Sequence, residues 1–125
     1  MIDINDICIK VQTQYLEDRF PENEEKYAFA YKITIMNNSE QDVTLLNRYW
    51  LITDGNGDNS EVSGKGVVGE QPLIEPGKYY QYTSGAILDT PVGTMQGHYE
   101  FKGADNDLFK VPIDVFRLAV SKVLN

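Results

Sequence analysis

Gly64-Lys65-Gly66-Val67-Val68-Gly69 is spaced as G-x-G-x-x-G. That spacing brings backbone N–H groups onto a pyrophosphate when a strand precedes it and a helix N-terminus follows to face the phosphates. Here Glu70-Gln71-Pro72 follows instead. Proline bars a helix from passing through, and Glu70 would repel the anion. The segment is therefore expected to be a structural loop whose glycines allow positive φ or close backbone approach. Gly64, Lys65, Gly66 and Gly69 stand as the candidate anion-binding residues of an alternative reading, in which the chain is a pyrophosphate- or nucleotide-binding or hydrolytic protein.

The other constellations carry less chemistry. Asp54-x-Asn56-x-Asp58 imitates the start of an EF-hand calcium loop, but Asn59 replaces the glycine of its sharp turn and Lys65 replaces its bidentate glutamate. With one histidine, His98, and one cysteine, Cys8, a four-ligand Cys/His zinc site within the chain is impossible. A Cys8–His98 nucleophilic pair needs both on one wall of a cleft, whereas strand parity turns His98 outward with Gln96 and Glu100. Thr83-Ser84-Gly85 is read as the end of a strand with no identifiable base beside it. No catalytic residue, no metal ligand and no cofactor is assigned. Eight tyrosines and one tryptophan are the richer signal. Tyr79, Tyr80 and Tyr82 cannot all face the inside of one strand, and tyrosine offers a large contact area with a polar handle. Tyr49, Leu51, Tyr80 and Tyr82 are the expected interaction surface, against the alternative of cross-strand packing on a solvated sheet face.

Composition narrows the partners. The 125 residues are expected to form one domain, 1–125. Nineteen acidic against eleven basic residues give a formal charge of −8, which disfavours nucleic acid and anionic lipid. No apolar stretch approaches the ~20 residues of a membrane span. Met1 to Asp6 has neither a basic start nor an apolar signal core, so a cytoplasmic location is expected, with a protein partner or a homo-oligomer rather than a membrane.

Strands are expected almost everywhere. Period-two alternation runs through Cys8–Tyr15 and Lys26–Met36, separated by an acidic loop from Glu17 to Glu25 that contains Pro21. Asn37 to Asp42 suggests a hairpin turn. In Val43–Thr53, strict alternation puts Leu46, Trp50 and Ile52 on one face and Val43, Leu45, Tyr49 and Leu51 on the other. Lys78–Ser84, Val92–Phe101 and Leu108–Phe116 follow, the last expected at a sheet edge because Pro112 lacks a donor. Residues 115–124 carry a weak helical pattern and are expected to be an extended or frayed tail. Gly97-His98-Tyr99-Glu100-Phe101, coming after the strand Trp50, resembles the tyrosine corner and core tryptophan of immunoglobulin-like domains. The expected fold is an all-β, immunoglobulin-like or fibronectin type III-like β-sandwich of about seven antiparallel strands.

Several blocks together resemble the ApaG family. These are Asn47-Arg48-Tyr49-Trp50-Leu51-Ile52-Thr53-Asp54, the stretch from Val62 to Pro72, Ile74-Glu75-Pro76-Gly77, Tyr82-Thr83-Ser84-Gly85, and Thr90 to Tyr99. The resemblance covers essentially the whole chain, except for motif-free Gln14 to Lys26. It implies a fibronectin type III-like sandwich, an association with cobalt resistance and magnesium efflux, and a domain reused as an interaction module. It brings no established reaction. The function expected is a non-enzymatic binding module.

Overall fold

The computed structural model describes residues 2–20 and 24–120. A short 3-10 turn at Ile4–Asp6 leads into eight strands: β1 Ile7–Tyr15, β2 Tyr27–Asn37, β3 Val43–Asp54, β4 Asn59–Lys65, β5 Leu73–Ile74, β6 Tyr79–Leu88, β7 Val92–Gly103 and β8 Leu108–Ala119. All pair antiparallel. One sheet has the order β1-β2-β6 and the other β4-β3-β7-β8, with two-residue β5 joining β3 beyond the end of β4. This is the all-β sandwich expected from the alternation. Strand β8 lies at an edge with Pro112 exposed, as the missing donor requires. Part of the acidic loop, residues 21–23, and residues 121–125, which include the end of the helical-looking segment 115–124, lie outside the described residues.

Between the sheets, β2 contributes Phe29, Tyr31, Ile33 and Ile35, all buried, from its alternate positions. The facing strand contributes Trp50, which meets Tyr31, Tyr99 and Phe116 edge-on with ring centroids 5.5, 6.1 and 5.7 Å away. Phe101 stacks on Phe109 at 5.6 Å. Offset and edge-on aromatic pairs of this kind add about 0.5–1.5 kcal/mol each beyond the area they bury.

Strict alternation misassigned β3. Val43, Leu45 and Trp50 are all buried, an odd–odd–even set that a regular strand cannot turn to one face. The register steps from Leu45↔Phe101 to Asn47↔Glu100, so Leu46 is an extra residue in a β-bulge. Beyond it Arg48, Trp50 and Ile52 face inward while Tyr49 and Leu51 face out. A second bulge divides β8, between Ile113↔Gly97 and Phe116↔Met95. It switches the inward set from Val111 and Ile113 to Leu118 and Val120.

Two further expectations change. Asn37 to Asp42 is not a hairpin turn but the crossing from one sheet to the other. Asn37 is fully buried there: its Nδ2 donates to the carbonyls of Gln41 and Ile74 at 2.8 and 2.9 Å, and its Oδ1 accepts from the Ser39 N–H at 2.9 Å. Strand β6 does not end at Gly85 but continues to Leu88. Gly97 sits opposite Trp50, where an added Cβ would overlap the Tyr49 carbonyl. Gly97→Ala is expected to cost about 3 kcal/mol through overpacking, read as a lowered denaturant midpoint with an unchanged m-value.

Candidate functional site

The glycine loop starts where β4 ends, at Lys65. The Gly66 N–H donates to the Leu46 carbonyl at 2.7 Å, and Val67 and Glu70 exchange two backbone hydrogen bonds of 2.8 and 3.0 Å. Between them Val68 and Gly69 adopt φ of 49° and 80°, as a two-residue turn with two left-handed positions requires. A β-branched residue is strained at positive φ, and Val68 is also 63% exposed. Gly66, at φ 62°, has no room for a Cβ beside the Glu70 carbonyl. No helix follows; the chain runs extended into β5. A phosphate cradle needs convergent free N–H groups. In this loop the N–H groups of Gly66, Val67 and Glu70 are already donated within the protein.

The loop carbonyls face a cation instead. Arg48, turned inward by the bulge, donates from Nη1 to the carbonyls of Lys65 and Gly66 at 3.0 and 2.9 Å. Gly64 lies opposite Arg48 in register, and a Cβ there would sit 3.1 Å from Nη1. Gln71 Nε2 adds a second donor to Leu46 O at 2.9 Å. Gly64 and Gly66 thus make room for a guanidinium and for the loop's own backbone.

The four-residue aromatic patch is not one surface. Tyr82 is buried between the sheets, and Tyr80, on the same side of β6, donates from its hydroxyl to Glu70 Oε2 at 2.8 Å. Tyr79 is the β6 tyrosine that faces solvent, 60% exposed. Parity separated the three tyrosines correctly, but it could not say which parity faced the other sheet. The Tyr82 hydroxyl hydrogen-bonds the Tyr99 hydroxyl, tying β6 of one sheet to β7 of the other. Tyr99 therefore differs from a tyrosine corner, whose hydroxyl returns to nearby backbone. Burial pushes both hydroxyls far above the ordinary tyrosine range, and the Arg48 charge offsets only part of this. The Tyr80 hydroxyl is also raised, by burial and then by Glu70.

Tyr49 and Leu51 lie on the outer face of the five-stranded sheet. The Tyr49 ring stacks on His98 with centroids 5.2 Å apart and planes 25° from parallel. One register row holds Ser63, Tyr49, His98 and Pro112, and the next holds Lys65, Asn47, Glu100 and Lys110. Asn47 Nδ2 donates to Glu100 Oε1 at 2.8 Å. A shallow depression of about 460 Å³ opens here, and its lining includes Arg48 and Gly64 as well as Tyr49, Lys65, His98 and Lys110. His98 points outward as its parity predicted, but its pairing with Tyr49 was missed because register across strands is invisible to a one-strand pattern. Cys8 is exposed on the outer face of the other sheet, so the sandwich separates it from His98. Asp54 Oδ1 accepts the N–H groups of Asn56 and Asp58 at 2.9 and 3.1 Å, closing the β3–β4 turn. Among the described residues no three acidic, histidine or cysteine groups gather as metal ligands would.

Residues 17–103 match the model of the ApaG domain family. A curated relative called Protein ApaG, from Erwinia tasmaniensis, is 56% identical over 121 residues, which is 97% of each chain. The chain belongs to the ApaG family. The family's fold is carried over closely. The X-ray structure of a Northeast Structural Genomics Consortium target superposes with a TM-score of 0.93 at 48% identity, covering 98% of this chain and 92% of that one. A protein of Bordetella pertussis described as ApaA superposes at 0.90 with 40% identity, over 94% and 95% of the two chains. The ApaG blocks read from the sequence fall on the bulged stretch of β3, the glycine loop, β6 and the first half of β7.

The Tyr82–Tyr99 bond gives a direct test. Tyr82→Phe should leave the buried Tyr99 hydroxyl without its partner and cost about 1–3 kcal/mol, while the double variant with Tyr99→Phe should cost less than the sum of the singles in a denaturation cycle. The folded state holds both hydroxyl protons more tightly than the unfolded chain does. Their contribution is therefore complete below about pH 10 and is lost above it, at up to about 1.4 kcal/mol per pH unit for each tyrosine. Alkaline unfolding followed by near-UV dichroism should become shallower in the double variant.

Proposed function

We propose that this chain is a cytoplasmic, non-enzymatic binding module that engages a protein partner through the outer face of its five-stranded sheet, centred on Tyr49 and His98. The observation that carries this reading is the Tyr49–His98 stack in the middle of a solvent-facing sheet. Aromatic side chains with polar handles are enriched at recognition surfaces, where a broad contact is desolvated while a hydroxyl or ring nitrogen still finds a partner. Asn47, Ser63 and Glu100 around the stack supply a polar rim. Lys65 and Lys110 make this a locally basic spot on a chain of charge −8, which favours a partner segment carrying carboxylates.

The glycine loop serves this surface by placing Lys65 at its margin, rather than by holding a nucleotide. On this reading the connection with cobalt resistance and magnesium efflux that the family resemblance implies runs through the bound partner. No helix among the described residues is long and apolar enough to cross a membrane.

A photo-crosslinking residue at position 49 should capture a discrete partner in the native cell, whereas the same residue at Gln12, on the other sheet, should not. With the captured partner purified, Tyr49→Ala combined with His98→Ala should weaken binding by about 30-fold or more while leaving thermal stability nearly unchanged. Equal capture from both positions, or a matching loss of folding, would refute the assignment.

A further inference from the structure

Strand β6 is the free edge of the three-stranded sheet, pairing only with β2 among the described strands. The Asn37 N–H donates to the Lys78 carbonyl at 3.0 Å, so that carbonyl points toward β2. Backbone direction alternates along a strand. Tyr80, Tyr82, Ser84, Ala86 and Leu88 therefore bond to β2, and the N–H and C=O groups of Tyr79, Gln81, Thr83, Gly85 and Ile87 face away from the sheet.

The other edges carry the usual protections against strand addition. Strand β8 has Lys110, Pro112, Asp114 and Arg117, β4 has Glu61 and Lys65, and β1 carries Lys10 and lies beside β8. Strand β6, Tyr-Tyr-Gln-Tyr-Thr-Ser-Gly-Ala-Ile-Leu, has no charge and no proline over ten residues.

We propose that β6 pairs antiparallel with β6 of a second copy of this chain about a two-fold axis at Thr83, joining two three-stranded sheets into one of six. The placement of side chains selects a second copy as the occupant. Tyr79 and Ile87 are 60% and 58% exposed and lie four residues on either side of Thr83. In this register each Tyr79 meets the partner's Ile87, a favourable aromatic and β-branched cross-strand pair, and Gln81 meets the partner's Gly85. Every edge residue finds an edge-facing mate with which to exchange two hydrogen bonds. The strip is neutral, and the outer face of its sheet, formed by alternate residues of β1, β2 and β6, contains Lys10 and Lys32 but no carboxylate, although the chain has 19. Two copies of charge −8 thus meet where their acidic groups are absent, and salt should tighten the dimer by screening the remaining repulsion. This inference goes beyond the Tyr49–His98 reading and uses the other sheet, so either can fail alone.

The test is the mass of the intact chain by sedimentation up to about 100 µM. The wild type should reach twice the monomer mass. Thr83→Lys and Thr83→Glu, both outward-facing and off the β2 ladder, should each remain monomeric with an unchanged melting temperature. Mixing the two should restore the dimer, because only this register sets position 83 against itself and converts two like-charge clashes into an opposite-charge pair. A wild type that stays monomeric, a dimer that survives both substitutions, or a mixture that stays monomeric would each overturn the proposal. Thr83→Pro, which removes the edge N–H alone, should also be a folded monomer; a folded dimer would count against β6.

Discussion

The extra residue at Leu46 is the constraint on which the architecture turns. Its insertion reverses the facing of β3 in mid-strand, so that Val43 and Leu45 enter the core from one end of the strand and Trp50 from the other. The same step turns Arg48 inward and Tyr49 outward. A bulge leaves backbone groups outside the regular ladder, and here the Leu46 carbonyl is satisfied by the Gly66 N–H and the Gln71 side chain. The glycine loop is therefore the bulge's partner: the loop caps the irregularity, and the irregularity holds the loop.

That mutual dependence explains the composition of the loop better than ligand chemistry does. Gly64 clears space for the guanidinium of Arg48, and Gly66 clears space for the Glu70 backbone. Arg48 then draws the two loop carbonyls inward. Next to it, a hydrogen bond between Tyr82 and Tyr99 joins the two sheets in the buried interior. A buried hydroxyl without a mate is costly, so this pair selects one relative placement of the sheets as well as adding stability.

The two outer faces differ in their chemistry. On the five-stranded sheet, Tyr49 and His98 stack above a row in which lysines flank the Asn47–Glu100 hydrogen bond. On the three-stranded sheet the outer face carries no carboxylate and ends in an uncharged open strand. The two proposed contacts use different sheets, so neither obstructs the other.

Much of this was legible in the residues. Alternation in β1 and β2, the turn formers after β3 and the proline in β8 specified strands, ends and an edge, because a period of two and the loss of an N–H are local properties. One cysteine and one histidine leave no four-ligand Cys/His zinc site within the chain, and Pro72 after the glycines excluded a helix, for equally local reasons. The core role of Trp50, Tyr99 and Phe101 also followed from the pattern. What the pattern could not supply was the bulges at Leu46 and in β8, which shift facing by one residue without leaving any mark in the alternation. The misplacement of Tyr82 in a surface patch came from the open choice between the two faces of β6, and the missed pairing of Tyr49 with His98 from the register between β3 and β7. Amino-acid order determined which segments are extended and which residues must leave water. Only the tertiary structure decided which of two equivalent faces became the inside, because that choice depends on register between strands far apart in the chain.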